Sequence, residues 1–377
     1  MYLILDIARG IAAISVFIFH MGVSSFESSI PFLARMAKYG SLGVPLFFVI
    51  SGYVITASAE AVIRHSKSAG SFLKRRFLRI YPPIWISIIV VVLLPYVMEA
   101  IASLKSGYFI WPSPGYHLLT LPDWMQLATL TKVFMSKNGD LQDEFNLLNS
   151  VYWTLAIEFQ FYLYVYVALL FRNYFHLLLL LITLFSIFIL IVPLPINSGL
   201  FIHFWPMFSV GILLYYLIEK GITLEKLLPQ GGKVIGCLLT LCSIFLVVFF
   251  AYLDQLGEIL QRVFSSTALG FAICSAFILW FSLPLESILF SLKNRGNIIC
   301  RNIIKASAFM GVISYSLYLL HGKILNLVSM FVRQIVPTGN FKNPIMVIVG
   351  TILICAVFYH YFERPFMSSK QKKIYKI

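Results

Sequence analysis

Charged residues are scarce in this chain of 377 residues, at 12% of the sequence against about 25% in typical globular proteins. Hydrophobic residues account for 60%. So few charges cannot supply a polar surface for water-soluble domains, which excludes the two or three soluble domains that the length alone suggests. About ten apolar spans of roughly 20 residues each fit this composition. The composition therefore predicts a membrane protein that crosses the bilayer many times.

Cysteine is also rare, with five residues and no CxxC pair. This pattern predicts neither a disulfide framework nor a zinc site, so we interpret the cysteines as small apolar residues and expect no metal. The N-terminus has no basic segment before the first apolar run, and Asp6 and Arg9 interrupt that run. A cleaved signal peptide is therefore not predicted, and the first helix is expected to remain in the protein.

Ten apolar runs, bounded by prolines, glycines and charge clusters, predict about ten membrane-spanning helices. Their ranges are 3–21, 42–60, 80–102, 147–171, 177–193, 200–218, 234–252, 263–283, 307–331 and 344–362. The predicted fold class is all-α, a polytopic membrane helix bundle. We expect one integral-membrane domain over residues 1–377 and no fused soluble domain.

The basic residues predict how this bundle is oriented. The sequence has 29 Lys and Arg against 15 Asp and Glu, a formal net charge of +14. With the N-terminus inside, 19 of the 29 basic residues fall in inner segments and 8 in outer ones, as the positive-inside rule requires. Both termini are therefore predicted to be cytoplasmic. Topology and contact with anionic membrane lipids account for the charge, and no nucleic-acid partner is predicted.

The longest connection, residues 103–146, is predicted to be an extracytoplasmic loop. It contains Trp111, Trp124 and several prolines, and two interpretations stay open: an ordered cap over the bundle or a disordered segment. The chain shows no fixed-period repeat and no broken helices at matching positions in two halves. Both features weaken the case for a secondary transporter.

Ionisable residues inside the first predicted span are candidates for function, because a charge near mid-bilayer costs at least about 2.5–3.5 kcal/mol. Arg9 and His20 are 11 residues apart, which on a helix places them on one face and about 16.5 Å apart. Asp6 lies one turn before Arg9 and is close enough to pair with it. The alternative interpretation is an interfacial ion pair with His20 as a cap of the span's outer end.

Two other spans carry polar side chains at helical spacing. Glu158 and Tyr162 form an i, i+4 pair, and a buried carboxylate needs such a donor. Ser314, Tyr318 and His321 form a stripe that must face protein or water, because the rest of that helix is apolar. A purely structural polar network would also account for either set.

The sequence KRRFLRIYPPIW places three arginines just before the third predicted span. One interpretation is positive-inside anchoring, which needs no ligand. The other is phosphate binding, because Arg76 and Arg79 are one helical turn apart and guanidinium groups suit phosphate. In the second span, Gly52 follows Ser51, whose hydroxyl lies near the middle of the span.

Taken together, these segments resemble the acyltransferase-3 family of bacterial membrane proteins. The resemblance spans the whole chain and rests on LDIARGIAAISVFIFH, GVPLFFVISGYVI, KRRFLRIYP, SVYWTLAIEFQFYLY, ISYSLYLLH and the closing YFERPF. The most specific features are an Arg followed by ten residues and a His in the first span, and RxxR before the third. Some members of the family carry a fused extracytoplasmic hydrolase-like domain, and this sequence does not.

The resemblance implies an O-acyltransferase of the bacterial cytoplasmic (inner) membrane. Such an enzyme moves an acyl group, most often acetyl, from cytoplasmic acyl-CoA to a hydroxyl of a lipid-linked or surface glycan such as lipopolysaccharide, capsule or peptidoglycan. The donor is then acetyl-CoA and the acceptor a carbohydrate. The residues expected to be catalytic are His20, Arg9, Glu158 and His321. Those expected to bind the donor are Arg75, Arg76 and Arg79. The expected substrate pocket comprises Asp6, Ser51, Tyr53, Trp153, Tyr162, Ser314 and Tyr318.

The chemistry of the residues is compatible with this implied reaction. Attack of a sugar hydroxyl on a thioester needs a base near neutral pH, which neutral imidazole supplies. Two points stay open: whether Arg9 guides the donor or pairs with Asp6, and whether His20 acts as a base or is itself acylated. A carrier or flippase for a lipid-linked glycan is the alternative function, and a structural membrane subunit is a third.

Overall fold

The computed structural model describes residues 3–27, 29–136, 140–192, 194–264 and 266–367. Within these ranges the regular structure is helical and contains no strand. The α-helices are α1 (Leu3–Met21), α2 (Pro31–Lys38), α3 (Gly43–Arg64), α4 (Ala69–Ser106), α5 (Leu121–Thr129), α6 (Tyr152–Leu170), α7 (Phe175–Ile191), α8 (Trp205–Glu219), α9 (Leu224–Leu227), α10 (Gly232–Tyr252), α11 (Leu256–Phe264), α12 (Thr267–Phe281), α13 (Leu285–Arg295), α14 (Ile298–Ile335) and α15 (Lys342–Phe358).

These helices confirm the predicted all-α, polytopic fold class. In the described part of the chain, eight segments are long and apolar enough to cross a membrane, and α11 with α12 makes a ninth if the pair forms one span. The count of ten stays a prediction, since α8, the remaining candidate, has only 15 residues. The placement of the termini and of the 103–146 loop also stays a prediction. Some of the lysines counted for the orientation lie outside the described residues: Lys137, Lys370, Lys372, Lys373 and Lys376.

Helix α4 begins well before the span predicted at 80–102. The hydroxyl of Ser68 caps its start by accepting a hydrogen bond of 3.3 Å from the backbone N–H of Ser71. Gly107, at φ +76°, ends it in the left-handed conformation that favours glycine. The helix runs through its three internal prolines, as membrane helices tolerate. The arginine cluster is therefore part of the helix and does not precede it.

The contacts group the chain into two compact units. The first comprises Met1–Ser66 and Phe204–Tyr315, and the second comprises Lys67–His203 and Ser316–Ile377. Helix α14 contributes its first half to one unit and its second half to the other. The prediction of one integral-membrane domain over 1–377 stays a prediction.

Close backbone approach holds the first unit together. An added Cβ on Gly211 of α8 would lie 2.0 Å from the carbonyl oxygen of Val49 in α3, and one on Gly311 of α14 would lie 1.8 Å from that of Asp6 in α1. Only glycine fits such crossings. Glu286 accepts hydrogen bonds from the first backbone N–H groups of α1, at 2.6 and 3.0 Å, where a carboxylate complements the helix dipole.

In the second unit, α4 packs beside α6, and buried polar contacts fix the pair. Ser87 of α4 and Tyr152 of α6 share a hydrogen bond of 2.7 Å. The side-chain amide of Asn149, just before α6, donates to the carbonyl oxygen of Leu319 in α14 at 2.7 Å. These bonds satisfy polar groups that would otherwise destabilise an apolar interior.

The connection between α4 and α6 contains regular structure in its described part, and its role as a cap over the bundle stays a prediction. It contains α5, which is tied to α4 by hydrogen bonds from Tyr81 to the carbonyl oxygen of Thr129 (2.9 Å) and from Trp85 to that of Ala128 (3.0 Å). Thr120 and Asp123 form a capping box at the start of α5, satisfying two backbone N–H groups there.

We expect the stability of α5 to depend on pH through Asp123. The ion pair with Lys132 and the bonds from Thr120 hold the pKa of Asp123 well below its usual value. A lowered pKa means that the carboxylate stabilises the folded loop at neutral pH and that this contribution is lost as pH falls through the acid range. Hydrogen exchange of 121–129 should therefore be faster in Asp123→Asn than in wild type at about pH 7, with the difference beginning to shrink only below the usual carboxyl pKa of about 4 and clearly smaller at about pH 2. An equal difference at both pH values would contradict this explanation.

Candidate functional site

In the first unit, α1 carries the predicted Asp6, Arg9 and His20. A guanidinium nitrogen of Arg9 lies 3.9 Å from a carboxylate oxygen of Asp6, which is buried. This confirms the predicted pair. Because α1 is helical from Leu3 to Met21, Arg9 and His20 share one face, about 16.5 Å apart along the axis. His20 lies in the last turn, half-buried, with its ring edge-on to Phe19 at 5.3 Å.

The other predicted residues of the first unit are Ser51, Tyr53 and Ser314. Tyr53 is buried and packs edge-on against Tyr215 of α8, with ring centroids 5.5 Å apart. Ser51 is half-buried on α3. Ser314 is buried, and its hydroxyl donates to the carbonyl oxygen of Gly311 in its own helix at 2.9 Å. The hydroxyl of Ser314 therefore has its hydrogen-bond acceptor within its own helix. That acceptor belongs to Gly311, the residue at which α1 and α14 cross.

In the second unit, the three arginines of α4 have different surroundings. Arg75 is exposed, and its guanidinium donates to the hydroxyl of Ser71 at 3.4 Å. The guanidinium carbon of Arg76 lies 5.6 Å from the ring centroid of Phe72 and 5.7 Å from that of Tyr162, within cation–π distance. The Nε atom of Arg76 is buried and has no hydrogen-bond partner among the described residues.

Arg79 forms an ion pair with Glu363, with 2.6 Å between a guanidinium nitrogen and a carboxylate oxygen. Glu363 is only 1% exposed. Its other carboxylate oxygen accepts bonds from the backbone N–H and the hydroxyl of Ser316, at 3.1 and 2.5 Å. Glu363 was not predicted from the sequence as a functional residue. The available signal was the acidic residue of YFERPF, in the last of the predicted apolar runs.

The predicted pair on α6 is present, and it adjoins the arginine cluster. Tyr162 is buried and donates to the carboxylate of Glu158 at 2.5 Å. The ring of Tyr162 also faces the guanidinium of Arg76. The ring of Tyr162, the carboxylate of Glu158 and the guanidinium of Arg76 thus form one cluster inside the second unit. Trp153 lies in the first turn of the same helix and is half-buried.

On α14, the rings of Tyr318 and His321 lie 5.9 Å apart. The hydroxyl of Tyr318 shares a hydrogen bond of 2.6 Å with that of Thr154 in α6, a partner that the sequence did not indicate. The Nδ1 atom of the fully buried His321 lies 2.9 Å from the carbonyl oxygen of Leu317. Because a carbonyl only accepts, this contact requires the proton on Nδ1, and Nε2 of the neutral ring then carries the lone pair.

The structure therefore assembles the predicted residues in two sets. The first unit holds Asp6, Arg9, His20, Ser51, Tyr53 and Ser314, and the second holds Arg75, Arg76, Arg79, Trp153, Glu158, Tyr162, Tyr318 and His321. Across the described ranges, no three His, Cys, Asp or Glu side chains come together as ligands for a metal ion. The first set contains the imidazole of His20, and the second contains three guanidinium groups and the imidazole of His321.

Comparison with known proteins gives one match over nearly the whole chain. The model of the acyltransferase domain family, acyltransferase 3, matches residues 2–360. No solved structure matches the chain.

Three curated proteins match parts of the chain. Acyltransferase MdmB of Streptomyces mycarofaciens is 28% identical over 158 residues, which are 41% of this chain and 36% of the relative. Nodulation protein 10 of Rhizobium leguminosarum bv. viciae is 31% identical over 33% of this chain and 32% of its own length. Peptidoglycan O-acetyltransferase OatA of Listeria monocytogenes is 29% identical over 42% of this chain and 22% of its own length. The chain thus spans about a third or less of the relatives it matches.

Proposed function

This chain belongs to the acyltransferase 3 family, and from that membership we propose that it is an O-acyltransferase of the bacterial cytoplasmic membrane. It moves an acyl group, with acetyl as the group to test first, from cytoplasmic acyl-CoA to a hydroxyl of a lipid-linked or surface glycan. A carbohydrate acceptor is supported by the similarity to a protein named as a peptidoglycan O-acetyltransferase.

The observation that carries the donor assignment is the environment of Arg76. A buried guanidinium nitrogen is costly unless it has a partner or a ligand. Its Nε has no hydrogen-bond partner within the described ranges, whereas Arg79 is paired with Glu363. The phosphates of acyl-CoA are anions that a guanidinium binds well. We propose that Arg75, Arg76 and Arg79 form the donor site and that Arg76 makes the direct phosphate contact.

The reaction needs one proton acceptor and then one proton donor. We propose that the imidazole of His20 takes the proton of the sugar hydroxyl while its oxygen attacks the thioester carbonyl. The carbon–sulfur bond then breaks, and the imidazolium returns the proton to the leaving thiolate, which yields the ester and free coenzyme A. Arg9, Glu158 and His321 are proposed as the supporting catalytic residues. The residues proposed to contact the substrates are Asp6, Ser51, Tyr53, Trp153, Tyr162, Ser314 and Tyr318.

We expect His20→Ala to lower kcat for acyl transfer by about 10²- to 10⁴-fold, the usual contribution of a general base. The measurement is transfer of radiolabel from acetyl-CoA to envelope glycans by the purified protein in nanodiscs. His65→Ala is the matched control, because His65 is exposed directly after α3. Full activity of His20→Ala would refute the catalytic assignment. A carrier or a structural subunit would give no covalent label even with the wild-type protein.

A further inference from the structure

A cavity of about 540 Å³ lies within the second unit, away from the arginine cluster. Its walls come from the C-terminal part of α4, the connection that follows α4, and the C-terminal part of α14. Five polar residues line it: Glu99, Tyr116, Asn146, Lys323 and Asn326. Its volume is within the range of about 300–1,000 Å³ that small-molecule sites occupy.

Two of these residues carry charges inside membrane-spanning segments. Glu99 belongs to the segment Ala69–Leu104 and Lys323 to the segment Ile298–Ile335. Glu99 accepts a hydrogen bond of 3.0 Å from the backbone N–H of Ile110, and Lys323 donates one of 3.3 Å to the carbonyl oxygen of Asn146. Charged groups in such segments face protein or a water-filled cavity and not lipid. The cavity therefore has the character of a polar binding site within an apolar bundle.

The cavity and the arginine cluster lie near opposite ends of α4. Arg79 and Glu99 are 20 residues apart on this helix, a rise of about 30 Å. That distance equals about the thickness of the hydrocarbon core of a bilayer. If α4 crosses the membrane, the cavity therefore lies towards the face opposite to the arginines. On the predicted topology that face is extracytoplasmic.

We propose that this cavity binds the sugar unit of the glycan that accepts the acyl group, an inference that rests on the proposed function. Donor phosphates and acceptor sugar are then bound from opposite faces of the membrane. Neither Lys323 nor Glu99 takes part in the acyl transfer itself; together with Asn326, they orient the acceptor.

The chemistry of the walls fits a sugar ring better than it fits an anion. A carboxylate, an ammonium group and an amide supply both donors and acceptors for hydroxyl groups, and the charges of Glu99 and Lys323 offset each other. A phosphate attracted by Lys323 would also be repelled by Glu99, so a neutral hydroxylated ligand fits these walls better. Pro112, Pro114 and Met330 add apolar walls against which the C–H face of a pyranose can pack.

An exposed aromatic residue directly precedes the lining residue Pro112 in the chain. Trp111, next to the lining residue Pro112, is 76% exposed and is held by edge-on contacts with Tyr96 and Phe109, at 6.3 and 5.2 Å between ring centroids. A rigid indole with an apolar face and a polar N–H suits a ligand that is apolar on one face and hydroxylated at its edge. It extends the site towards neighbouring sugar units of the acceptor.

The test measures sugar binding and acyl transfer separately on the full chain in nanodiscs. The probes are fluorescently end-labelled oligosaccharides released from bacterial envelope glycans, and binding is followed by anisotropy. We expect Lys323→Met and Asn326→Ala to weaken binding by about 10-fold or more, the loss expected for hydrogen bonds that involve charged or amide groups. Asn326→Trp, which fills the cavity, should abolish binding. Lys342→Met, an exposed lysine at the start of α15, should leave binding unchanged.

Transfer kinetics then separate the two proposals. If the inference holds, the cavity variants raise KM for the glycan and leave KM for acetyl-CoA at the wild-type value. Sugar binding by wild type without any acyl transfer would refute the proposed function and leave the binding site standing. Transfer by wild type with unchanged sugar affinity in all three cavity variants would overturn this inference. Absence of sugar binding by wild type, or its displacement by equimolar glycerol phosphate, would overturn it too.

Discussion

Arg76→Ala is expected to raise KM for acetyl-CoA by about 10- to 100-fold, because a hydrogen bond to a charged group contributes about 1.5–3 kcal/mol. The effect should fall on KM more than on kcat, since the phosphates lie far from the reacting thioester. Among the described residues, Arg76 makes cation–π contacts and is attracted by the nearby carboxylate of Glu158, whereas Arg79 forms a close ion pair with Glu363. Loss of Arg76 should therefore destabilise the folded state less than loss of Arg79, and its larger effect should be on donor binding.

Two further variants, one at residue 76 and one at residue 75, serve as controls for the effect of Arg76→Ala. Arg76→Lys keeps the charge and loses the planar guanidinium, so we expect an intermediate KM. Arg75→Ala removes an exposed cation from the preceding position and should change KM by a factor of a few at most, with the larger part of that change disappearing at high salt. The direct phosphate contact assigned to Arg76 is refuted if Arg76→Ala binds acetyl-CoA no more weakly than Arg75→Ala does, and the donor site as a whole is refuted if both variants bind it as tightly as the wild type.

The sequence predicted the fold class and the contacts within single helices. Apolar runs identified most of the helices, because membrane spans must be long and continuously apolar. Asp6 with Arg9 and Glu158 with Tyr162 were predicted as pairs and are found as pairs, since residues three or four apart meet on any helix. Local geometry alone determines such contacts.

Sequence patterns within single helices did not predict the contacts between helices. Glu363 pairs with Arg79 and Ser316, and Thr154 with Tyr318, across separate helices whose packing no local pattern encodes. The length of α4 was underestimated for a related reason. The predicted span starts at residue 80, directly after the charge cluster, because only the apolar run was counted as span. The helix continues through the arginines and begins at Ala69.

Glu363→Ala is expected to destabilise the protein strongly, by about 3–5 kcal/mol, because it leaves the guanidinium of Arg79 without its partner. The same change removes the acceptor of two bonds from Ser316. Chemical denaturation in detergent measures the loss. The matched control is Glu258→Ala, which breaks an exposed i, i+4 pair with Arg262 and should cost less than about 1 kcal/mol.

A double variant separates the charge from the hydrogen bonds. Arg79→Met with Glu363→Gln removes both charges and keeps a side-chain oxygen as acceptor for Ser316, so it should recover most of the stability lost in Glu363→Ala. If the double variant does not recover this stability, the ion pair is not the stabilising element.

The same folded double variant also tests the donor site. If KM for acetyl-CoA is unchanged, Arg79 has a positioning role on α4. If KM for acetyl-CoA rises as much as in Arg76→Ala, both arginines of the RxxR motif bind phosphate.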